Sequence, residues 1–131
     1  SPKGRIALIG DAAHPFLPTS IQGASQAMED GVTLAVCLEK CQGRRRDKSK
    51  VPEALRAYQR IRYDRVLRAQ KTGETTRDKW HKADFEKVKQ NPQIIRLDRP
   101  EWLLNFDAEE HAYKVYDDVV REMNKESQAK L

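Results

Sequence analysis

The sequence predicts a mainly α fold with one short buried strand, and two observations carry that reading. Residues 5–9, RIALI, form an apolar, partly β-branched run that stops at Gly10-Asp11. This pattern fits a fully buried strand rather than an alternating, half-exposed one. Elsewhere the apolar residues recur at helical spacing over residues 23–41, 52–72 and from 107 onward. A lone buried strand leaves its backbone N–H and C=O groups in need of neighbours. Either two copies pair through it, or the rest of its sheet lies in sequence outside these 131 residues. The second is favoured, so the chain reads as an incomplete piece of an α/β fold.

The elements follow in order. Residues 11–22 carry Pro15 and Pro18, which exclude a regular helix there. A helix is expected over 23–41, with Ala24, Ala27, Met28, Gly31, Leu34, Ala35 and Leu38 on its apolar face and a length of about 30 Å. Gly43 is its natural stop. A basic stretch, 43–50, joins it to a second helix over 52–72, where Pro52 and Glu53 suit a first turn. Arg62 falls inside the apolar stripe of that helix, among Leu55, Tyr58, Val66 and Ala69. Residues 75–106 are mixed, with one helix expected near 76–90. Asp107 and Glu110 resemble a capping box. Ala112, Val115, Tyr116, Val119 and Met123 then mark a last helix, whose polar end after Asn124 is expected to fray. The expected organisation is 1–42 as strand, loop and helix, 43–50 as basic linker, and 51–131 as a helical region.

Composition bounds the function. Hydrophobic residues are 38% and charged residues 34%, which is polar for a domain but still permits a core. No apolar run approaches 18 residues, so no membrane span is expected, and the start of the chain has no secretory-signal pattern. A cytoplasmic setting is expected. The net charge is +5, with acidic residues interspersed. The densest basic run, Arg44–Arg46, has no interleaved aromatics, so single-strand nucleic-acid binding is not expected. Cys37 and Cys41 lie one helical turn apart, where they pack as small hydrophobes with side chains aligned poorly for a bridge. No metal site is expected.

The informative residues are Gly10-Asp11-Ala12-Ala13-His14-Pro15, Gln22-Gly23-Ala24 and Glu29-Asp30. Ligands of open α/β sheets bind outside the carboxyl ends of the strands. A carboxylate there can accept from sugar hydroxyls, although Asp11 could equally cap the next turn. A helix starting at Gly23 offers unpaired N–H groups and a positive dipole end. Gly23 also allows close approach to a flat ring, and the small Ala24 and Ser25 leave room for one. Glu29 and Asp30 resemble a carboxylate pair, but partners in the backbone or among basic side chains are expected, with Arg62 a candidate. His81 and His111 are read as surface residues, and Trp80 and Trp102 as packing.

RIALIGDAAHP followed by QGASQAMEDG resembles the second FAD motif of the single-component flavoprotein aromatic hydroxylases, the salicylate hydroxylase-like branch above all. Tyr58, Arg62 and Arg65 fit the Y-x-x-x-R-x-x-R pattern of the next helix in that family, and the remainder after about residue 70, with TGETTRDKWHKAD, is similar to the C-terminal helical region of some fungal members. The resemblance implies a piece of an α/β FAD-binding fold of the glutathione reductase-like Rossmann type. It implies FAD contacts from Gly10, Asp11, Pro15, Pro18, Gln22, Gly23, Ala24 and Ser25. Asp11 would meet the ribityl or adjoining hydroxyls, Pro18 would lie on the substrate side, and the amides near Gly23 and Ala24 would face the pyrimidine edge of the flavin. The resemblance also implies that His14 mainly holds the loop rather than acting as a base. Position 25 is often Asn in the family and is Ser here.

The implied parent spends NAD(P)H and O₂ to hydroxylate a small aromatic substrate. Its partner would be the remainder of the FAD-binding domain, with no nucleic acid and no membrane. No catalytic base is assigned. The glycines, at 4, 10, 23, 31, 43 and 73, make no G-x-G-x-x-G cradle for pyrophosphate, so this chain alone is not expected to catalyse. The alternatives are a small basic helical module that binds an acidic partner or nucleic acid, and a non-catalytic descendant of the flavoprotein scaffold.

Overall fold

The computed structural model describes residues 4–42, 47–97 and 100–129. Five α-helices carry the fold: α1 (Gly23–Gln42), α2 (Val51–His81), α3 (Phe85–Gln90), α4 (Glu101–Leu104) and α5 (Ala108–Gln128). Short 3₁₀ turns at Gly10–Ala12, Pro18–Ser20, Lys48–Lys50 and Pro92–Ile95 join them.

No strand occurs among the described residues, which corrects the expectation of a short buried strand in an α/β sheet. Residues 5–9 form no regular element, and Ile9 is extended, but no neighbouring strand pairs with them among the described residues. Ile6 is 67% exposed, Leu8 59% and Ile9 45%. Apolar, β-branched composition favours extended backbone, but a strand also needs a ladder partner. Instead, Tyr58 Oη donates to the Leu8 carbonyl at 3.1 Å and holds the segment against α2.

The core lies where α1, α2 and α5 meet. Cys37 of α1, Ala54, Ala57 and Tyr58 of α2, and Tyr116 of α5 are buried together, flanked by Leu38, Ile61 and Met123. Three alanine-sized contacts let the helices approach closely. Burial pushes the Cys37 thiol up to about 12, with Cys41 adding to the shift, so it packs as a protonated, small apolar group. Both cysteines are free.

The buried side of α1 differs from the expected apolar stripe. Gln26, Asp30, Thr33 and Cys37 point inward, spaced as one helical face, whereas Met28 is 67% exposed. The first two-thirds of α1 therefore buries polar groups, and only its last turns join the apolar core. The physical reason is Arg62, whose guanidinium lies against that face and needs acceptors.

α2 runs to His81, nine residues beyond its expected end. Its continuation is pinned from outside. Trp80 Nε1 donates to the Ile95 carbonyl at 2.9 Å, and Lys79 Nζ to that of Arg96 at 3.0 Å. The single helix expected near 76–90 is therefore the end of α2, a break, and α3, capped by Asp84 accepting from Glu86 and Lys87 amides. Asp107 caps α5 as expected, accepting from Glu110 N at 2.9 Å, and the helix holds to Gln128 rather than fraying after Asn124. In the basic stretch, Gly43 and Arg44–Arg46 lie outside the described residues. Lys48–Lys50 form an ordered turn capped by Asp47.

Gly73 explains the close seat of the proline-rich loop on α2. A Cβ there would lie 2.6 Å from Ser20 Cβ. Gly73→Ala gains about 1 kcal/mol in helix propensity but forces an overlap that costs roughly 1–3 kcal/mol. A net fall in the urea midpoint is expected, and a rise would show that the loop is not seated there.

Candidate functional site

The Gly10–Ala12 turn begins at a residue that only glycine suits. Gly10 has φ +56°, and a Cβ on it would lie 3.2 Å from Ala27 Cβ. The turn closes with the Ala13 and His14 amides both donating to the Gly10 carbonyl at 2.9 Å. Asp11 is thereby turned outward, exposed.

The loop then returns to α1. The Pro15 carbonyl accepts from Gln70 Nε2 at 3.0 Å. Pro18 starts a 3₁₀ turn that ends on Ile21, a β-branched residue at φ 55°. L-residues of this kind avoid the left-handed region, at a cost on the order of 1–2 kcal/mol. The strain at Ile21 aims the chain into α1, and the Gln22 amide is satisfied by Ser20 Oγ at 3.2 Å. The first bond of α1 is Gln26 N to the Gln22 carbonyl. The N–H groups of Gly23, Ala24 and Ser25 have no acceptor among the described residues.

The fold brings the two ends of the motif together. A Cβ on Gly23 would lie 3.6 Å from Asp11 Oδ1 and 3.8 Å from Phe16 Cβ. A carboxylate acceptor thus stands beside a row of free backbone donors. Of the sequence-singled residues, Asp11, Gly23, Ala24 and Ser25 share this surface, with Gln22 leading into it. Gly10 is buried beneath as the hinge of the turn. Pro15 and Pro18 shape the intervening loop. Pro15 also lines a cleft of about 440 Å³ between residues 6–8 and α2, together with His14, Tyr58, Arg62 and Val66. Asp11 and Gly23 do not line that cleft.

Behind the surface lies a buried ionic network. Asp30, fully buried, accepts from Gly10 N at 2.8 Å through Oδ2, which also pairs with His14 Nε2 at 2.6 Å. Its Oδ1 accepts from Arg62 Nε at 2.8 Å. Arg62, only 4% exposed, also donates to Glu29 at 2.6 Å and to Gln26 Oε1 at 2.7 Å. Arg65 binds Glu29 with two nitrogens, at 2.7 and 2.8 Å, and donates to the Trp102 and Leu103 carbonyls. The Arg65 guanidinium stacks 3.5 Å over Phe106, and Arg68 lies 3.9 Å over Trp102. The expected pairing of Arg62 with Glu29 and Asp30 is present. Tyr58, Arg62 and Arg65 each act: one holds residues 5–9, and the other two neutralise the carboxylates of α1.

His14 holds the loop through Asp30, as read from the sequence. His81 is exposed. His111 is half-buried beside Phe106, and burial, then the Arg65 charge, pushes its pKa down. Sequence reading missed Ile21 and the buried roles of Gln26 and Thr33. The available signal was polar residues at 26, 30 and 33, one helical face, opposite an arginine inside an apolar stripe.

Comparison with known proteins agrees with this geometry. The family described as FAD binding domain matches residues 2–76. The FAD-dependent monooxygenase fsr3 of Gibberella fujikuroi is 40% identical over 116 residues, covering 88% of this chain and 21% of the relative. Among solved structures, CtdE in complex with FAD and a substrate superposes with a TM-score of 0.80 at 38% identity, covering 95% of this chain and 28% of CtdE. FqzB superposes with a TM-score of 0.79 at 41% identity, covering 92% and 27%. The chain spans about a quarter of the length of these proteins. Its matched residues hold the Gly10–Ala12 turn, all of α1 and most of α2, and on that match the chain belongs to the FAD binding domain family.

Proposed function

We propose that this chain is the part of an FAD-dependent monooxygenase that receives the ribityl chain and isoalloxazine ring of FAD, and that the complete protein spends NAD(P)H and O₂ to hydroxylate an aromatic substrate. The observation that supports it is the Asp11 carboxylate beside Gly23 at the open end of α1. The residues present suit the cofactor. Asp11 accepts from ribityl hydroxyls, for which it is exposed and without a partner among the described residues. The free amides of Gly23, Ala24 and Ser25 donate to the pyrimidine edge of the ring. With the positive end of the α1 dipole, they favour negative charge there. Gly10, by its positive φ, and Gln22, by leading into α1, set the two ends of the cradle. Pro15 and Pro18 contribute no N–H, so the loop between them offers few donors to water.

When bound, FAD takes a hydride from NAD(P)H and activates oxygen for transfer. The remainder of the FAD-binding domain supplies the pyrophosphate cradle that this sequence lacks. In the complete flavoprotein, Asp11→Ala weakens FAD binding by roughly ten- to a hundredfold, the loss of one charge-assisted hydrogen bond. Flavin fluorescence titration measures it, and an unchanged affinity would remove Asp11 from the site. The reaction class is tested with a panel of phenols and aromatic acids, by oxygen uptake and mass spectrometry. Substrate-stimulated NAD(P)H and O₂ consumption with a hydroxylated product is expected. Hydrogen peroxide as the sole product with every compound would point to an oxidase and overturn the hydroxylase reading.

A further inference from the structure

We infer that Asp30 is the positioning residue of the flavin-facing loop: one buried carboxylate fixes both ends of the Gly10–His14 turn to α1 and, through Arg62, to α2. This rests on the reading that Asp11 and the first turn of α1 face FAD. Asp30 touches neither surface group. It reaches the loop at Gly10 N (2.8 Å) and at His14 Nε2 (2.6 Å), immediately before and three residues after Asp11. Both bonds end on one oxygen, Oδ2, so the turn is gripped at a single point. Oδ1 is held in place by Arg62 Nε at 2.8 Å. Arg62 in turn is fixed by Glu29 and Gln26, on the same helix as Asp30.

The geometry explains why an ionised group serves here. An ionised carboxylate is acceptor-only and takes all three donors at once, whereas an asparagine amide offers one oxygen and a competing NH₂. With two buried bonds on the turn and a third, charge-assisted, holding the carboxylate to α2, the turn has little freedom. Asp11, on the outward side of that turn, then keeps its register beside Gly23, whose position would bring an added Cβ within 3.6 Å of Asp11 Oδ1. Removing Asp30 frees the turn and lets the Asp11 carboxylate wander from the free amides of α1.

The test uses the complete flavoprotein and its apoprotein. Asp30→Asn is expected to raise the FAD dissociation constant about tenfold or more and to speed hydrogen exchange at the Gly10 amide in the apoprotein. Its effect on FAD affinity should largely vanish in an Asp11→Ala background, because Asp30 acts through Asp11. Val36→Ala, a change at a buried residue of α1 that makes none of the loop bonds, serves as a control that lowers stability without this coupling. If Asp30→Asn does not fold, His14→Gln removes the imidazole tether while sparing the Arg62–Asp30 pair, and the same coupling to Asp11 is expected at smaller amplitude. Full additivity with Asp11→Ala, or affinity falling only in proportion to stability as in Val36→Ala, would reduce Asp30 to a fold residue and overturn the inference. Failure of the wild-type flavoprotein to bind FAD would instead overturn the reading beneath it.

Discussion

Arg62→Met is expected to destabilise the protein by about 3–5 kcal/mol, because it strips the guanidinium from the buried Asp30 and leaves only His14 and the Gly10 amide against it. Asp30 is fully buried and Arg62 is 4% exposed, so water cannot substitute for the lost guanidinium. Glu29 suffers less, since Arg65 still binds it with two nitrogens. Arg62→Lys should fall between the two. A single ammonium keeps the charge but cannot serve Asp30, Glu29 and Gln26 together. Adding Asp30→Asn to Arg62→Met should recover part of the loss, because the stranded charge is then gone. Urea midpoints of the four proteins check the set. A loss below about 1 kcal/mol for Arg62→Met would mean that the pair is not buried as described.

Tyr58→Ala is expected to cost about 3–5 kcal/mol, as for other large aromatics removed from a core. The ring is 4% exposed and packs among Cys37, Ala54, Ala57 and Tyr116. Tyr58→Phe keeps that packing and loses the hydroxyl, with its bond to the Leu8 carbonyl and its interaction with Asp30, worth about 0.5–1.5 kcal/mol for the Leu8 bond. The two variants therefore separate the roles of ring and hydroxyl. The Phe variant should leave the melting transition nearly in place while making residues 5–9 more sensitive to limited proteolysis. Equal sensitivity in wild type and Tyr58→Phe would show that the hydroxyl does not hold the segment.

Much of this was legible because local chemistry decided it. Asp107 and the Pro52 start of α2 obey capping rules that need no distant partner. Arg62 inside an apolar stripe announced a buried ion pair, and α1 supplied the acceptors. The failures all involve partners far away in sequence. RIALI has strand composition but no neighbour to pair with among the described residues. Met28 and Gly31 looked like core by spacing, yet a helix turns its polar side inward when an arginine needs acceptors there. The sequence pattern ends the second helix at 72, just before Gly73. Gly73 is instead the place where α2 makes room for Ser20. The proposed site was legible as a pattern of residues, but the strained Ile21 that aims it was not, because nothing local favours a β-branched residue at φ 55°.

The seating of the proline-rich loop has a consequence for redesign. Gln70 holds its first residue, Pro15, and Gly73 receives its last, Ser20. These anchors are three residues apart on α2, a separation of about 4.5 Å along the axis. The loop thus leaves and returns within one helical turn, with Leu17 37% exposed between. Residues inserted beside Leu17 would project outward as a larger crest, while the anchors and the start of α1 stay where they are. A combinatorial library confined to Leu17 would therefore vary what overhangs the neighbouring surface, whereas Phe16, edge-on to His14, and the half-buried Thr19 belong to the frame. Shifting the sequence by one residue at Gln70 or Gly73 would turn both anchors off the loop together.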